Sequence, residues 1–166
     1  MFELLRISSP LFLDRDQGNK VIPGFLQRTG LKVECHSKYY KDDLEDDIWI
    51  RDVSRKGWLI VSSDKGLEND VANKLAVIES KAKVFILEEN GSRGEYWAAA
   101  IIVSWKTIYE LAGDNPGPFY VNIQKDTGAL VGKFRIPAAP DLNSSQPDLL
   151  PQHLKRKPKP DKGESI

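Results

Sequence analysis

Short, nearly continuous apolar runs alternate with amphipathic stretches along most of this chain. Leu11 to Leu13, Trp58 to Ser62 and Val84 to Leu87 carry apolar residues at consecutive positions, as parallel strands covered on both faces do. Lys32 to Cys35 is a further strand. Gln17 to Arg28 predicts a helix closed by Gly30, with Pro23 tolerated only if the helical turn begins near Ile22. Ile48, Trp49 and Val53 form a helical face starting after Asp46 or Asp47, and Gly57 stops it. Leu67, Val71, Leu75 and Ile78 recur at helical spacing and predict a helix from Glu68 to Lys81. After the turn at Asn90-Gly91-Ser92, the broadest apolar stripe runs through Trp97, Ile101, Ile102, Trp105, Ile108, Tyr109 and Leu111. It is expected to pack on the sheet, with a partner-binding face as the alternative. Phe119 to Ile123 and Leu130 to Ile136, joined by Lys125-Asp126-Thr127-Gly128, predict a hairpin. The order implies an α/β fold: a mostly parallel sheet with helices on both sides, followed by the hairpin.

From Pro137 the composition changes. Six prolines mixed with Ser, Asp and Lys lie between residues 137 and 166, too little apolar material to offset the entropy of ordering. The expected organisation is one domain over 1–136 and an extended or disordered tail over 137–166. The basic cluster Lys155-Arg156-Lys157-Pro158-Lys159 reads as solubilising, with contact to nucleic acid or an acidic partner as the alternative. Lys+Arg and Asp+Glu number 24 each, so total charge points to no polyanionic partner, although a local basic face remains open. The single Cys35 excludes an internal disulfide and fits a buried small apolar residue in a reducing compartment. With only His36 and His153, zinc sites built on His or Cys are not expected. No signal peptide is predicted, and the run Trp97 to Val103 is too short to span a bilayer. A cytoplasmic protein without a membrane partner is the expectation.

Two of the strands run directly into acids: Leu11-Phe12-Leu13 into Asp14, and Leu59-Ile60-Val61-Ser62-Ser63 into Asp64. Asp46-Asp47 opens a helix between them. Ligands of open α/β sheets bind outside the carboxyl ends of the strands, so these acids are expected to converge there. Converging carboxylates call for a hard cation, Mg²⁺ or Mn²⁺, and so for phosphate chemistry. Each acid also has a purely structural reading. Asp14 and Asp46 or Asp47 are good helix caps, and Asp64 suits a turn with Lys65-Gly66. Ser62-Ser63 has no histidine in a plausible motif beside it, which argues against acyl transfer.

The pattern Phe12-Leu13-Asp14-Arg15-Asp16 with Gly18, then Asp46-Asp47-Ile48-Trp49-Ile50, then Gly57-Trp58-Leu59-Ile60-Val61-Ser62-Ser63-Asp64-Lys65, resembles the PIN-like family, in the branch related to VapC toxins. Val84 to Leu87 and the long helix follow in the family order, and the resemblance covers residues 10 to 136. It implies a PIN-like three-layer α/β/α fold and a metal-dependent endoribonuclease, often the toxin of a toxin–antitoxin pair, leaving 5′-phosphate and 3′-hydroxyl ends. By position, Asp14 and Asp64 match primary metal ligands. Asp46 matches a ligand or water-orienting base, with Asp47 as its neighbouring candidate. Arg15 and Lys65, next to the acids, are candidates for substrate phosphates. The partners implied are RNA and an antitoxin, and the aromatic stripe around Trp97 and Trp105 suggests homodimerisation. The family's further acid after the fourth strand has no clear match, since Glu88 and Glu89 precede a loop with Asn90 and Ser92. Two other readings stay open: a non-catalytic PIN-like module binding RNA or protein, and a receiver-like phosphoacceptor using Asp14, Asp16 and Asp64.

Overall fold

A computed structural model describes residues 9–18, 20–88, 93–124 and 130–139, with side chains undescribed for 130–135. Its strands are β1 (Leu11–Leu13), β2 (Val33–Cys35), β3 (Leu59–Ser62), β4 (Lys83–Leu87), β5 (Phe119–Ile123) and β6 (Leu130–Arg135). Its helices are α1 (Val21–Arg28), α2 (His36–Tyr39), α3 (Asp46–Arg55), α4 (Gly66–Asn69), α5 (Val71–Ser80) and α6 (Gly94–Asp114). The strands form one sheet in the order β2-β1-β3-β4-β5-β6, the first five parallel and β6 antiparallel to β5. This is the α/β arrangement expected, hairpin included. The hairpin's connecting residues 125–129 lie outside the described residues, as do 140–166 of the expected tail.

Alternation along the strands splits the interior into two layers. Leu11, Leu13, Leu59, Val61, Phe85 and Leu87 join Ile22 and Leu26 of α1 and Trp97, Ile101 and Ile108 of α6 in one cluster. Phe12, Ile60, Val84, Ile86 and Tyr120 join Trp49, Ile50 and Val53 of α3 and Ala76 and Val77 of α5 in the other. The apolar runs lack polar positions because both faces are covered. The α6 stripe is core, as expected, with Trp97 at 4% exposure and Ile101 and Ile108 at 0%.

Two helices differ from the sequence expectation. The segment Gln17 to Arg28 is broken: Arg15–Gln17 form a 3₁₀ turn capped by Asp14, and α1 begins only at Val21. Gly18 at φ 68 makes the break, a backbone that side chains other than glycine resist. Pro23 falls in the first turn of α1, where no helical hydrogen bond needs its missing N–H. The helix read as Glu68 to Lys81 begins at Val71, because the Asp70 carboxylate accepts from Ala72 N (2.9 Å) and Asn73 N (3.0 Å) and Asp70 itself is extended. Its buried face is Ala72, Asn73, Ala76 and Val77, while Val71, Leu75 and Ile78 are only half-buried. The small residues let α5 lie close against α3. The helix stop at Gly57 is as expected, with φ 75 after the last turn of α3.

Candidate functional site

β1 lies between β2 and β3, so consecutive connections leave it in opposite directions, and a ligand crevice is expected outside the carboxyl ends of β1 and β3. Asp14 is the first residue beyond β1, and its N–H donates to Val61 O of β3 at 3.1 Å. Its side chain is therefore drawn in under the rim, 2% exposed. One carboxylate oxygen accepts from Arg15 N at 2.6 Å, and the other from Ser62 Oγ at 2.8 Å. Among the described residues no Lys, Arg or His makes an ion pair with it. Burial, then the charge of Asp16, then that of Asp46, push its pKa up to about 7 against the opposing pull of the Ser62 and Arg15 hydrogen bonds.

Asp16 belongs to the same rim. The 3₁₀ turn carries its carboxylate back over the end of β3, where it accepts from Ser63 N (2.8 Å) and Ser63 Oγ (2.5 Å). Ser63 Oγ in turn accepts from Gln17 Nε2 at 2.9 Å. Ser62 Oγ, fully buried, donates to Asp14 and accepts from Asp64 N at 3.0 Å, so one hydroxyl ties three of the segments together.

The other predicted residues separate. Asp46, in the first turn of α3, reaches the rim: its Oδ1 accepts from Trp49 Nε1 at 3.0 Å and from the Arg15 guanidinium, which also donates to Asp42 O. Asp47, one residue on, turns the other way. At 1% exposure it pairs with Arg51 at 2.6 Å, and Arg51 reaches on to Glu79 of α5 at 3.0 Å. Asp64 is exposed and accepts from Gly66 N at 2.7 Å, the turn geometry named as its structural reading. Lys65 is exposed ahead of α4. Glu88, beyond β4, accepts from Asn122 Nδ2 at 2.9 Å, and Glu89 lies outside the described residues.

Behind this rim stands an aromatic wall. The Trp49 indole is fully buried and packs on Phe12 at 5.3 Å and edge-on to His36 at 5.7 Å. His36, 1% exposed, has no hydrogen-bond partner for either ring nitrogen among the described residues, and burial first, then the Arg15 guanidinium, lower its pKa. The imidazole is thus a neutral packing element of the wall.

Sequence reasoning missed Asp16 and Ser62 as members of the site. A signal existed for both: an acid two residues beyond the first one, and a polar residue closing an otherwise apolar central strand.

The donors fit a divalent cation in kind, since all are carboxylate or hydroxyl oxygens and the buried Asp14 carboxylate has no positive partner. In number they fall short as they stand: among the described residues no three Asp, Glu, His or Cys side chains are gathered closely enough to hold one ion. Asp46 is engaged by Arg15 and Asp64 by its own turn. Among the described residues no helix is long and apolar enough to cross a membrane.

Residues 10–89, which contain every acid of this rim, match the family described as PIN like domain. The chain is also 24% identical over 117 residues to the putative ribonuclease VapC45 of Mycobacterium tuberculosis (strain ATCC 25618 / H37Rv), a match covering 68% of this chain and 84% of that protein. No solved structure matches. The order of acids along the chain, the parallel sheet that gathers them and the sequence match agree, and the chain belongs to the PIN-like, VapC-related family.

Proposed function

We propose that this protein is a divalent-metal-dependent endoribonuclease of the PIN type and the toxin of a toxin–antitoxin pair. The observation that carries the reading is Asp14: a carboxylate buried at the sheet's switch point, flanked by two like charges and with no cation paired to it. Such a group is costly to keep charged unless something positive joins it. Asp14, Asp16 and Asp46 would hold Mg²⁺ or Mn²⁺, with Asp64 at the edge of the site, while Asp47 serves the α3–α5 contact instead. When bound, the ion supplies positive charge for the attacked phosphodiester and acidifies water near neutral pH.

The chain's own groups do the rest. Ser62 fixes the Asp14 carboxylate and the Asp64 backbone, Ser63 fixes Asp16, and Trp49 fixes Asp46, so three acids are aimed before substrate arrives. Arg15 and Lys65, both at the rim, are placed to meet substrate phosphates. RNA is the substrate class because the relative carries the name ribonuclease, and an antitoxin partner follows from the same relationship.

Incubation with single-stranded and structured RNA and Mn²⁺ tests this reading. The wild type is expected to cut and leave 5′-phosphate ends, and Asp14→Asn or Asp46→Asn to lose about 100-fold or more in rate. Equal cutting by all three would place the activity elsewhere. A second reading, a non-catalytic PIN-like module, is favoured by the engagement of Asp46 with Arg15, and it predicts RNA binding without cleavage by any of them.

A further inference from the structure

Asp46 is held from two sides by donors of different character. From the interior, the fully buried Trp49 indole donates to Oδ1 at 3.0 Å. From the solvent side, the Arg15 guanidinium spans Asp46 Oδ1 and Asp42 O, and its side chain is 36% exposed. The backbone N–H of the same arginine is bound by Asp14 at 2.6 Å. One residue therefore bridges the two acids that the proposed ion would share, with its N–H on one and its charge on the other.

We propose that Arg15 is an internal latch on the acidic rim, its guanidinium competing with a divalent cation for Asp46 and, once displaced, turning to a phosphate of the substrate. This rests on the metal-dependent reading above and deepens it. A doubly charged ion among Asp14, Asp16 and Asp46 would stand beside a like-charged guanidinium, so both cannot occupy Asp46 on equal terms. Only the arginine has to move. Asp46 stays aimed by Trp49, and the arginine backbone stays capped by Asp14, so the side chain swings about a fixed point toward solvent, where a substrate would approach. A planar guanidinium with several donors suits the two oxygens of a phosphate as well as those of a carboxylate. The latch also accounts for why the acids, right in kind, are not gathered around one point: Asp46 is already neutralised within the chain.

The test is Mn²⁺ binding by the full chain, followed by electron paramagnetic resonance, for the wild type, Arg15→Gln and Asp46→Asn. Arg15→Gln is expected to bind Mn²⁺ about tenfold more tightly than the wild type, and Asp46→Asn more weakly than either. Binding by Arg15→Gln equal to or weaker than wild type, beside a clear loss in Asp46→Asn, overturns the latch and leaves the metal site standing. No binding by any of the three removes the metal site and the latch with it. A measurement on the unaltered protein guards against a misfolded variant: the side-chain ¹⁵N resonance of Arg15 should sharpen toward a freely rotating guanidinium on adding Mg²⁺, and an unchanged resonance at saturating Mg²⁺ would refute displacement. With Mn²⁺ present, Arg15→Gln should also bind a nuclease-resistant 2′-O-methyl RNA with a salt slope smaller by about one, and an identical slope would deny the arginine its phosphate.

Discussion

Two aspartates of this protein are buried to the same degree and held by opposite means. Asp14, at the end of β1, is 2% exposed and bound only by a hydroxyl and a backbone N–H, with the charges of Asp16 and Asp46 pressing on it. Asp47, at the start of α3, is 1% exposed and pairs with Arg51, which is itself anchored to Glu79. Burial alone therefore does not distinguish an acid kept for chemistry from one kept for structure. The presence of a built-in cation does. In the α3–α5 interface the fold completes the charge pair within itself, whereas at the rim it leaves the deepest acid uncompensated and spends its one nearby guanidinium on a neighbour.

The contrast can be broken most forcefully from the Asp47 side. Arg51→Ala leaves a buried carboxylate without its partner and should lower stability by about 3–5 kcal/mol in urea unfolding. A cost near zero would mean that Asp47 is not held by that pair. Asp14→Asn should act in the other direction. It removes a charge the folded protein disfavours, with a gain of about 2–4 kcal/mol at pH 8, together with the loss of activity predicted above. The same substitution sharpens the sign with pH. An unfolded chain releases this proton near 3.8 and the folded protein near 7, so between those values the folded state binds more protons. The Asp14 contribution to stability therefore falls as pH rises from about 4 to about 7 and is flat beyond. Urea midpoints across that window should show the decline in the wild type and lack it in Asp14→Asn, and parallel profiles would contradict it. The smallest effect belongs to the outer member of the structural pair. Glu79 is 59% exposed, and Glu79→Gln should cost less than about 1 kcal/mol, since water replaces most of what the pair supplies.

Much of this architecture was legible in the residues themselves. The consecutive apolar positions of Phe12, Ile60 and Phe85 read as strands covered twice over, and they are. Gly57 ended its helix, and Asp14 stood where β1 stops. What failed to read was local competition. Asp70 captured the N–H groups of Ala72 and Asn73 and reset the start of a helix whose apolar spacing continued through the break from Leu67 to Val71. Gly18 split a segment that composition presented as one. At the site, Asp46 and Asp47 are neighbours in sequence and nearly opposite on a helix, so which one meets the rim depended on the side of α3 that Trp49 and Ile50 bury. Asp64 remained ambiguous because a turn acid and a rim acid look identical in one dimension, and its carboxylate does bind Gly66 N. The bond between Arg15 and Asp46 joins positions 31 residues apart, and no pattern along the chain announces it.

The central claim is that Asp14 is a buried carboxylate kept without a cation so that a divalent ion can supply one. Carbon-13 NMR of its side-chain carboxyl, titrated with and without Mg²⁺, addresses this directly. The account predicts a midpoint near 7 in the metal-free protein, moving well into the acid range when Mg²⁺ is added. An ordinary midpoint near 4 in the metal-free protein, or one near 7 that Mg²⁺ leaves in place, would contradict it.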